Sequence, residues 1–203
     1  MAMEVEVKLR LRDSIAHQKL VSVLSRYHSK TVTQENLFFD TPRLKLAGAG
    51  SALRFRFCDL DTSCYVALKS KATLSSGVSR VEELEEAVDP QLGRVCAAEP
   101  QRILGILPQM IAERVKEMIG EEEVVCLGGF GNVRQVFDWE GLKVEVDETG
   151  FEFGVNYEVE CETENPAKAK NLLESLLREH QIAFSYASAN KFAVFMSGKL
   201  PPL

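Results

Sequence analysis

Charges of one sign recur two residues apart along stretches whose alternate positions are apolar. Glu4 and Glu6 precede Lys8; Arg54/Arg56, Lys69/Lys71 and Glu83/Glu85 follow; then come Lys143 with Glu145/Asp147, and Glu158/Glu160/Glu162. Between them sit Val5, Val7 and Leu9; Leu53, Phe55 and Phe57; Val66 and Leu68; Leu142, Val144 and Val146; Tyr157, Val159 and Cys161. On a strand, residues two apart share a face and lie roughly 7 Å from each other. Like charges so placed repel by a few tenths of a kcal/mol each. An ordinary wet sheet face has no reason to sort its charges by sign. A site for a polyanion with divalent cations does. Arginine and lysine doublets grip phosphate oxygens, arginine in bidentate fashion. Carboxylate doublets hold hard cations such as Mg²⁺ or Mn²⁺, which prefer oxygen ligands and bridge to phosphates. If the sheet closes into a barrel, the charged faces meet inside and helices cover the apolar outside. About eight strands are enough to enclose one small ligand.

The rest of the chain fits such a sheet. Alternation predicts strands at 3–12, 33–40, 52–58, 64–71, 79–88, 127–138, 142–148 and 155–163. A helix is expected at 14–27, capped by Asp13 or Ser14, with Ile15, Leu20, Val21 and Leu24 on one face. Residues 100–119 read as helical, with Pro108 as a break or restart. Asn165–Pro166 pairs an N-cap with an N1 proline and starts a helix to about 180. A short helix near 188–196 precedes a tail at 198–203, and 89–99 reads as a loop. The expectation is one α+β domain over 1–203.

Composition narrows the function. With 203 residues, 45% of them hydrophobic and 27% charged, the chain can bury a full core. No apolar run approaches the ~18–20 residues that span a bilayer. The start, MAMEVEVKLRLR, lacks the apolar core of a secretory signal, so cytoplasmic residence is expected. Five scattered cysteines without a C-x-x-C pair read as reduced packing thiols. A net charge of −6 argues against a general nucleic-acid binder. Gly128-Gly129-Phe130-Gly131 and Gly48-Ala49-Gly50 fit neither phosphate-loop motif and read as turns or bulges. His17, His28 and His180 stand apart as surface or packing residues. Ser188 and Ser197 lack the context of a nucleophile.

Glu4-Val5-Glu6-Val7-Lys8 resembles the ExExK signature of the CYTH superfamily, the triphosphate tunnel metalloenzymes. Arg54-x-Arg56, Lys69-x-Lys71, Glu83-x-Glu85, Arg134, Glu145-x-Asp147 and Glu160-x-Glu162 follow in that family's order. The runs Arg80–Glu83, Val125–Val133, Val144–Thr149 and Lys191–Ala193 look like its small plant members. The resemblance covers nearly the whole chain. It implies an eight-stranded antiparallel β tunnel with a charged interior and helices outside. It also implies metal-dependent hydrolysis of short triphosphates, most directly inorganic tripolyphosphate.

In that reading Lys8, Arg54, Arg56, Lys69, Lys71, Arg134 and Lys191 hold the substrate. Glu160 and Glu162, helped by Glu6, hold a bridging Mg²⁺ or Mn²⁺, and Glu4 and Asp147 serve a second ion that activates water. Lys191 caps one tunnel end and orients water or leaving group. Glu83, Glu85 and Glu145 are further tunnel acids, and Arg10 and Glu158 share the inward phase. The implied partner is a small polyphosphate, with no nucleic acid or membrane and a monomeric chain. Alternatives are an adenylate cyclase, a thiamine triphosphatase with Phe137 or Trp139 stacking on the thiamine, and a non-catalytic polyphosphate or nucleotide module. If the acids form an empty cluster, neutralising Glu160 should relieve repulsion, and the melting temperature without metal should hold steady or rise.

Overall fold

The computed structural model describes residues 2–202, so both ends of the expected domain, Met1 and Leu203, lie outside the described residues. In chain order the elements are β1 (Ala2–Leu11), α1 (Ser14–Leu24), a 3-10 turn (Ser25–Tyr27), β2 (His28–Asp40), α2 (Lys45–Gly48), β3 (Ala52–Cys58), β4 (Ser63–Lys69), β5 (Thr73–Ser75) and β6 (Val78–Val88). Then follow α3 (Pro90–Ala98), a 3-10 segment (Pro100–Gly105), α4 (Gln109–Ile119), β7 (Val125–Trp139), β8 (Leu142–Phe151), β9 (Gly154–Glu162), α5 (Pro166–Glu179), β10 (Phe184–Tyr186) and α6 (Lys191–Ser197).

The strands run in the order β10-β1-β9-β8-β7-β2-β3-β4-β6-β5, and β1 also pairs with β6. Eight of them therefore close into an antiparallel β-barrel, with β5 and β10 outside the ring and helices on the outer face.

Two compact units make up the chain. One holds Thr33–Ala72 and Val81–Phe130; the other holds Glu4–Val32, Thr73–Arg80 and the chain from Gly131 onward. Each has its own core. In the second, Val7, Leu9 and Leu11 of β1, Val144 and Val146 of β8 and Val159 and Cys161 of β9 pack against Leu20 and Leu24 of α1 and Leu173 and Leu177 of α5. In the first, Phe55 and Phe57 of β3 and Val66 and Leu68 of β4 meet Cys96 of α3 and Ile111, Val115 and Ile119 of α4. Burying each such side chain contributes about 1.5–3 kcal/mol. All five cysteines are free, as expected.

Helix α1 is capped by the Asp13 carboxylate, which accepts from the Ala16 N–H at 2.9 Å. Its buried face is Ala16, His17, Leu20 and Leu24, whereas Ile15 is 73% exposed. Leu20 and Leu24 are thus buried as expected and Val21 packs partly against the core, while Ala16 and His17 are buried where Ile15 was expected. Asn165 and Pro166 open α5 as expected, Asn165 accepting from the Lys168 N–H at 3.1 Å. Pro108 is the restart point, N-cap of α4.

The stretch 89–99 is a helix rather than a loop. Asp89 accepts from the N–H groups of Gln91 and Leu92, and Pro90 occupies the first turn. This is the same signal that marked α5. Gly93 obscured it, since glycine weakens a helix by about 1 kcal/mol. Packing decides there: a Cβ on Gly93 would lie 2.9 Å from Phe57 and 3.0 Å from the Cys64 sulfur.

Gly129 sits inside β7 rather than in a turn. A Cβ there would fall 1.7 Å from the Asn36 carbonyl oxygen, so only glycine lets the backbone pass so close. The three-residue strands β5 and β10 are too short for alternation to reveal.

Candidate functional site

Register assembles the charges of the second unit. Across β1 and β9, Lys8 stands opposite Glu160, Arg10 opposite Glu158 and Glu6 opposite Glu162. Across β8 and β9, Glu145 faces Glu160 and Asp147 faces Glu158; Arg134 of β7 faces Asp147. All lie on the strand face turned away from the helix-covered core. The sorted doublets thus interleave across neighbouring strands into opposite-charge contacts.

Lys8 reaches Glu160 at 2.9 Å and Glu6 at 3.1 Å. Arg134 forks onto Asp147, its Nε donating to Oδ1 at 2.8 Å and Nη2 to Oδ2 at 2.6 Å, and it also bonds Glu160 at 2.8 Å and pairs with Glu145. Lys191 comes from α6, whose N-cap Asn190 accepts from the Ala193 N–H at 2.8 Å. Its ammonium lies 2.8 Å from Asp147, 3.0 Å from Glu158 and 2.5 Å from Glu160. Asp147 is fully buried, with Glu158 and Glu160 nearly so.

These contacts hold the charges on. Burial alone would push the Asp147 carboxyl up, but Lys191 and Arg134 bring it down to about 2. Burial likewise opposes ionisation of Glu160, and Lys191, Lys8 and Arg134 overrule it, leaving its carboxyl well below the usual range. Lys8 and Lys191 pay desolvation too, yet the surrounding carboxylates raise both ammonium groups above their ordinary value. Glu145 is the exception: burial, aided by repulsion from Glu160 and Asp147, lifts its carboxyl despite Arg134.

Five carboxylates (Glu6, Glu145, Asp147, Glu158, Glu160) contact three cations (Lys8, Arg134, Lys191), a formal excess of two negative charges. Glu158 Oε2 is buried and, though close to Lys191, accepts no hydrogen bond. An all-oxygen donor set whose carboxylates outnumber the cations they contact by two suits a hard divalent cation. Among the described residues, no three His, Cys, Asp or Glu side chains converge on a ready-made ion site. Glu4 on β1 is half-buried, and Glu162, the last residue of β9, is exposed.

The first unit carries its own set. Arg54 and Glu85 stand on either side of Ala67, whose small side chain lets them meet at 3.0 Å. Arg54 also approaches Glu83 at 3.5 Å, and Lys69 pairs with Glu83 at 2.9 Å. Arg56 donates from Nε to the Asn36 Oδ1 at 3.0 Å, while Arg54 Nε is buried without a hydrogen-bond partner. The acids Glu83 and Glu85 thus serve as charge partners of Arg54 and Lys69. Lys71 lies past the end of β4 and is exposed.

Two expectations fail. Phe137 and Trp139 belong to the outer core, packed with Val144 and the α1 and α5 side chains, so they present no ring to a ligand on the charged face. The acid cluster is not empty of counter-charge, so removing the Glu160 charge cannot simply relieve repulsion. Sequence reasoning also missed neutral members of the charged face. Asn132 donates to Asp147 at 3.1 Å and accepts from the Thr149 hydroxyl at 2.8 Å, and Asn156 accepts from Arg10 at 2.9 Å. Their strand phase, shared with Arg134, Asp147 and Glu158, was the available signal.

A closed eight-stranded antiparallel barrel with charged inner strand faces and helices outside defines a triphosphate-tunnel type of protein. The chain belongs to the CYTH family: the CYTH domain model matches residues 2–195. The family is one of metal-dependent enzymes. HpAC1 of Hippeastrum, described as an adenylyl cyclase candidate with a dominant triphosphatase activity, is 51% identical, with a TM-score of 0.95 and 98% of each chain covered. A Bacillus halodurans protein, described as an adenylate cyclase candidate, shares the fold at 19% identity and a TM-score of 0.75, covering 96% of this chain and 99% of its own. PH1012 of Pyrococcus horikoshii does so at 18% identity and a TM-score of 0.56, over 89% of this chain and 91% of its own. No curated protein matches significantly.

Proposed function

We propose that this protein is a divalent-metal-dependent triphosphatase that splits inorganic tripolyphosphate into pyrophosphate and phosphate. The observation that carries this reading is the buried assembly of Lys8, Arg134 and Lys191 with Asp147, Glu158 and Glu160, in a chain half identical to a protein with dominant triphosphatase activity. The cations Lys8, Arg54, Arg56, Lys69, Lys71, Arg134 and Lys191 bind phosphate oxygens, the guanidinium groups by two donors at once. Glu4, Glu6, Asp147, Glu160 and Glu162 would hold Mg²⁺ or Mn²⁺, in two ions during turnover. Such an ion, when bound, neutralises phosphate charge and acidifies a coordinated water. Phosphoryl transfer needs little else beyond positioning and charge stabilisation. Lys191, released from its carboxylates, orients the attacking water or the leaving phosphate, and Glu4 takes part in activating the water.

The chain acts as one catalytic domain on a small polyphosphate, as a monomer in the cytoplasm. Among the described residues no helix is long and apolar enough to cross a membrane. Phosphate release from tripolyphosphate, pyrophosphate, ATP and thiamine triphosphate, each with Mg²⁺ or Mn²⁺ and with cAMP followed in parallel, tests the reading. Tripolyphosphate should have the highest kcat/KM. A dominant cAMP signal, or no release from any substrate, would overturn it.

A further inference from the structure

The motif Leu200-Pro201-Pro202 just after α6 has no part in the function so far. Its residues dock on the second unit at two built positions. Arg10 is buried on the charged face of β1; its Nε donates to Asn156 at 2.9 Å, and its Nη1 donates to the carbonyls of both Pro201 and Pro202, at 2.8 and 2.6 Å. Leu200 fits against Gly154 at the start of β9, where a Cβ would stand 2.9 Å from the leucine Cδ1. Two successive prolines are preset in an extended form and have no N–H to satisfy, so this strap docks at low entropic cost. One guanidinium nitrogen with two hydrogens matches their paired carbonyls.

At the other end of the same short segment, Lys191 places its ammonium among Asp147, Glu158 and Glu160. Between the two anchors lie only α6 and its Gly198 cap. Helix α6 itself rests on buried Val194 and half-buried Phe192 and Phe195, and the strap fixes the end of the segment beyond them. We propose that Arg10 is a positioning residue for Lys191: by gripping the Pro201 and Pro202 carbonyls, it pins the segment that carries the lysine. The inference rests on the role given to Lys191 above. Orientation errors near 1 Å can cost about a hundredfold in rate, which is why such a second anchor matters.

The test compares the full-length protein with Arg10→Gln and Leu200→Ser by hydrogen exchange and by kinetics. The amides of Val194 and Gly198, bonded to the Asn190 and Phe195 carbonyls, report on α6. They should exchange at least tenfold faster in both variants, with β9 amides unchanged. Leu200→Ser leaves Arg10 intact and so decides the matter if Arg10→Gln does not fold. On tripolyphosphate, Arg10→Gln should lower kcat, and adding it to Lys191→Ala should cause no further loss, since both act through one group. Unchanged α6 exchange in the folded variants, or additive kinetic losses, would overturn the proposal. If no triphosphatase activity exists, the exchange measurement still decides whether Arg10 seats α6, which separates this failure from that of the functional reading.

Discussion

Lys8 and Glu160 stand opposite each other in the β1–β9 pairing, their charged ends 2.9 Å apart and both side chains buried. The pair joins the signature at the start of the chain to the last of the acidic strands. Glu160 also takes Arg134 and Lys191, so one carboxylate neutralises parts of three cations. Neutralising it would weaken three buried ion pairs at once, although Lys8 keeps Glu6, Arg134 keeps Asp147 and Glu145, and Lys191 keeps Asp147 and Glu158.

Replacing Glu160 by glutamine should therefore destabilise the metal-free protein. The amide oxygen still accepts a hydrogen bond, so the cost should sit at the low end of the roughly 3–5 kcal/mol seen when one partner of a buried pair is removed. In a chain of this size that corresponds to a melting temperature lower by on the order of 10 °C. Turnover should fall by on the order of a hundredfold or more, since each 1.36 kcal/mol of lost transition-state stabilisation is tenfold. Thermal melts in chelator and steady-state kinetics at saturating Mg²⁺ check both. Wild-type turnover would remove Glu160 from the metal ligands.

Metal dependence follows from the two surplus negative charges around Asp147, Glu158 and Glu160. Activity should vanish in EDTA and return with excess Mg²⁺ or Mn²⁺. Turnover that persists in chelator would rule out the proposed chemistry.

Arg54→Ala and Arg56→Ala should each raise the KM for tripolyphosphate by about tenfold or more, because a charge-assisted hydrogen bond is worth about 1.5–3 kcal/mol. Arg54→Ala also leaves Glu83 and Glu85 short of a partner, so it should be the less stable of the two. A KM unchanged in both variants would place these arginines outside the binding site.

His17 gives a pH-dependent stability unrelated to turnover. It is buried in α1 against Tyr157, ring centroids 5.2 Å apart, and its Nε2 has no hydrogen-bond partner. Burial lowers its pKa below the ordinary 6.5, more than Glu148 and Asp147 raise it. The unfolded chain then binds this proton more tightly than the folded one, so stability is complete above about pH 6.5 and is lost as the pH falls through the depressed folded value. Melting temperatures from pH 8 to pH 5 should drop more steeply for wild type than for His17→Gln. Parallel curves would show that His17 carries no such linkage.

The alternation of single-sign charges with apolar residues determined by itself that the strands have one core face and one charged face. A period of two admits no other arrangement once the apolar set is buried. Lys8, Arg54, Arg134, Asp147 and Glu160 were therefore legible as residues of one face before any coordinate was known. Cap chemistry made α5 legible in the same local way, and would have done so for α3 had Gly93 not masked it. Which charge meets which was decided only by tertiary structure, because register between strands distant in sequence sets it. The pairing of Lys8 with Glu160 spans most of the chain, and Lys191 reaches Asp147 from a helix whose own pattern says nothing of its direction. Phe137 and Trp139 stand out of phase with Arg134 on the same strand, so the period of two already set them on the core face that α1 and α5 cover. Local sequence fixes the face of a strand; burial and long-range pairing fix what that face confronts.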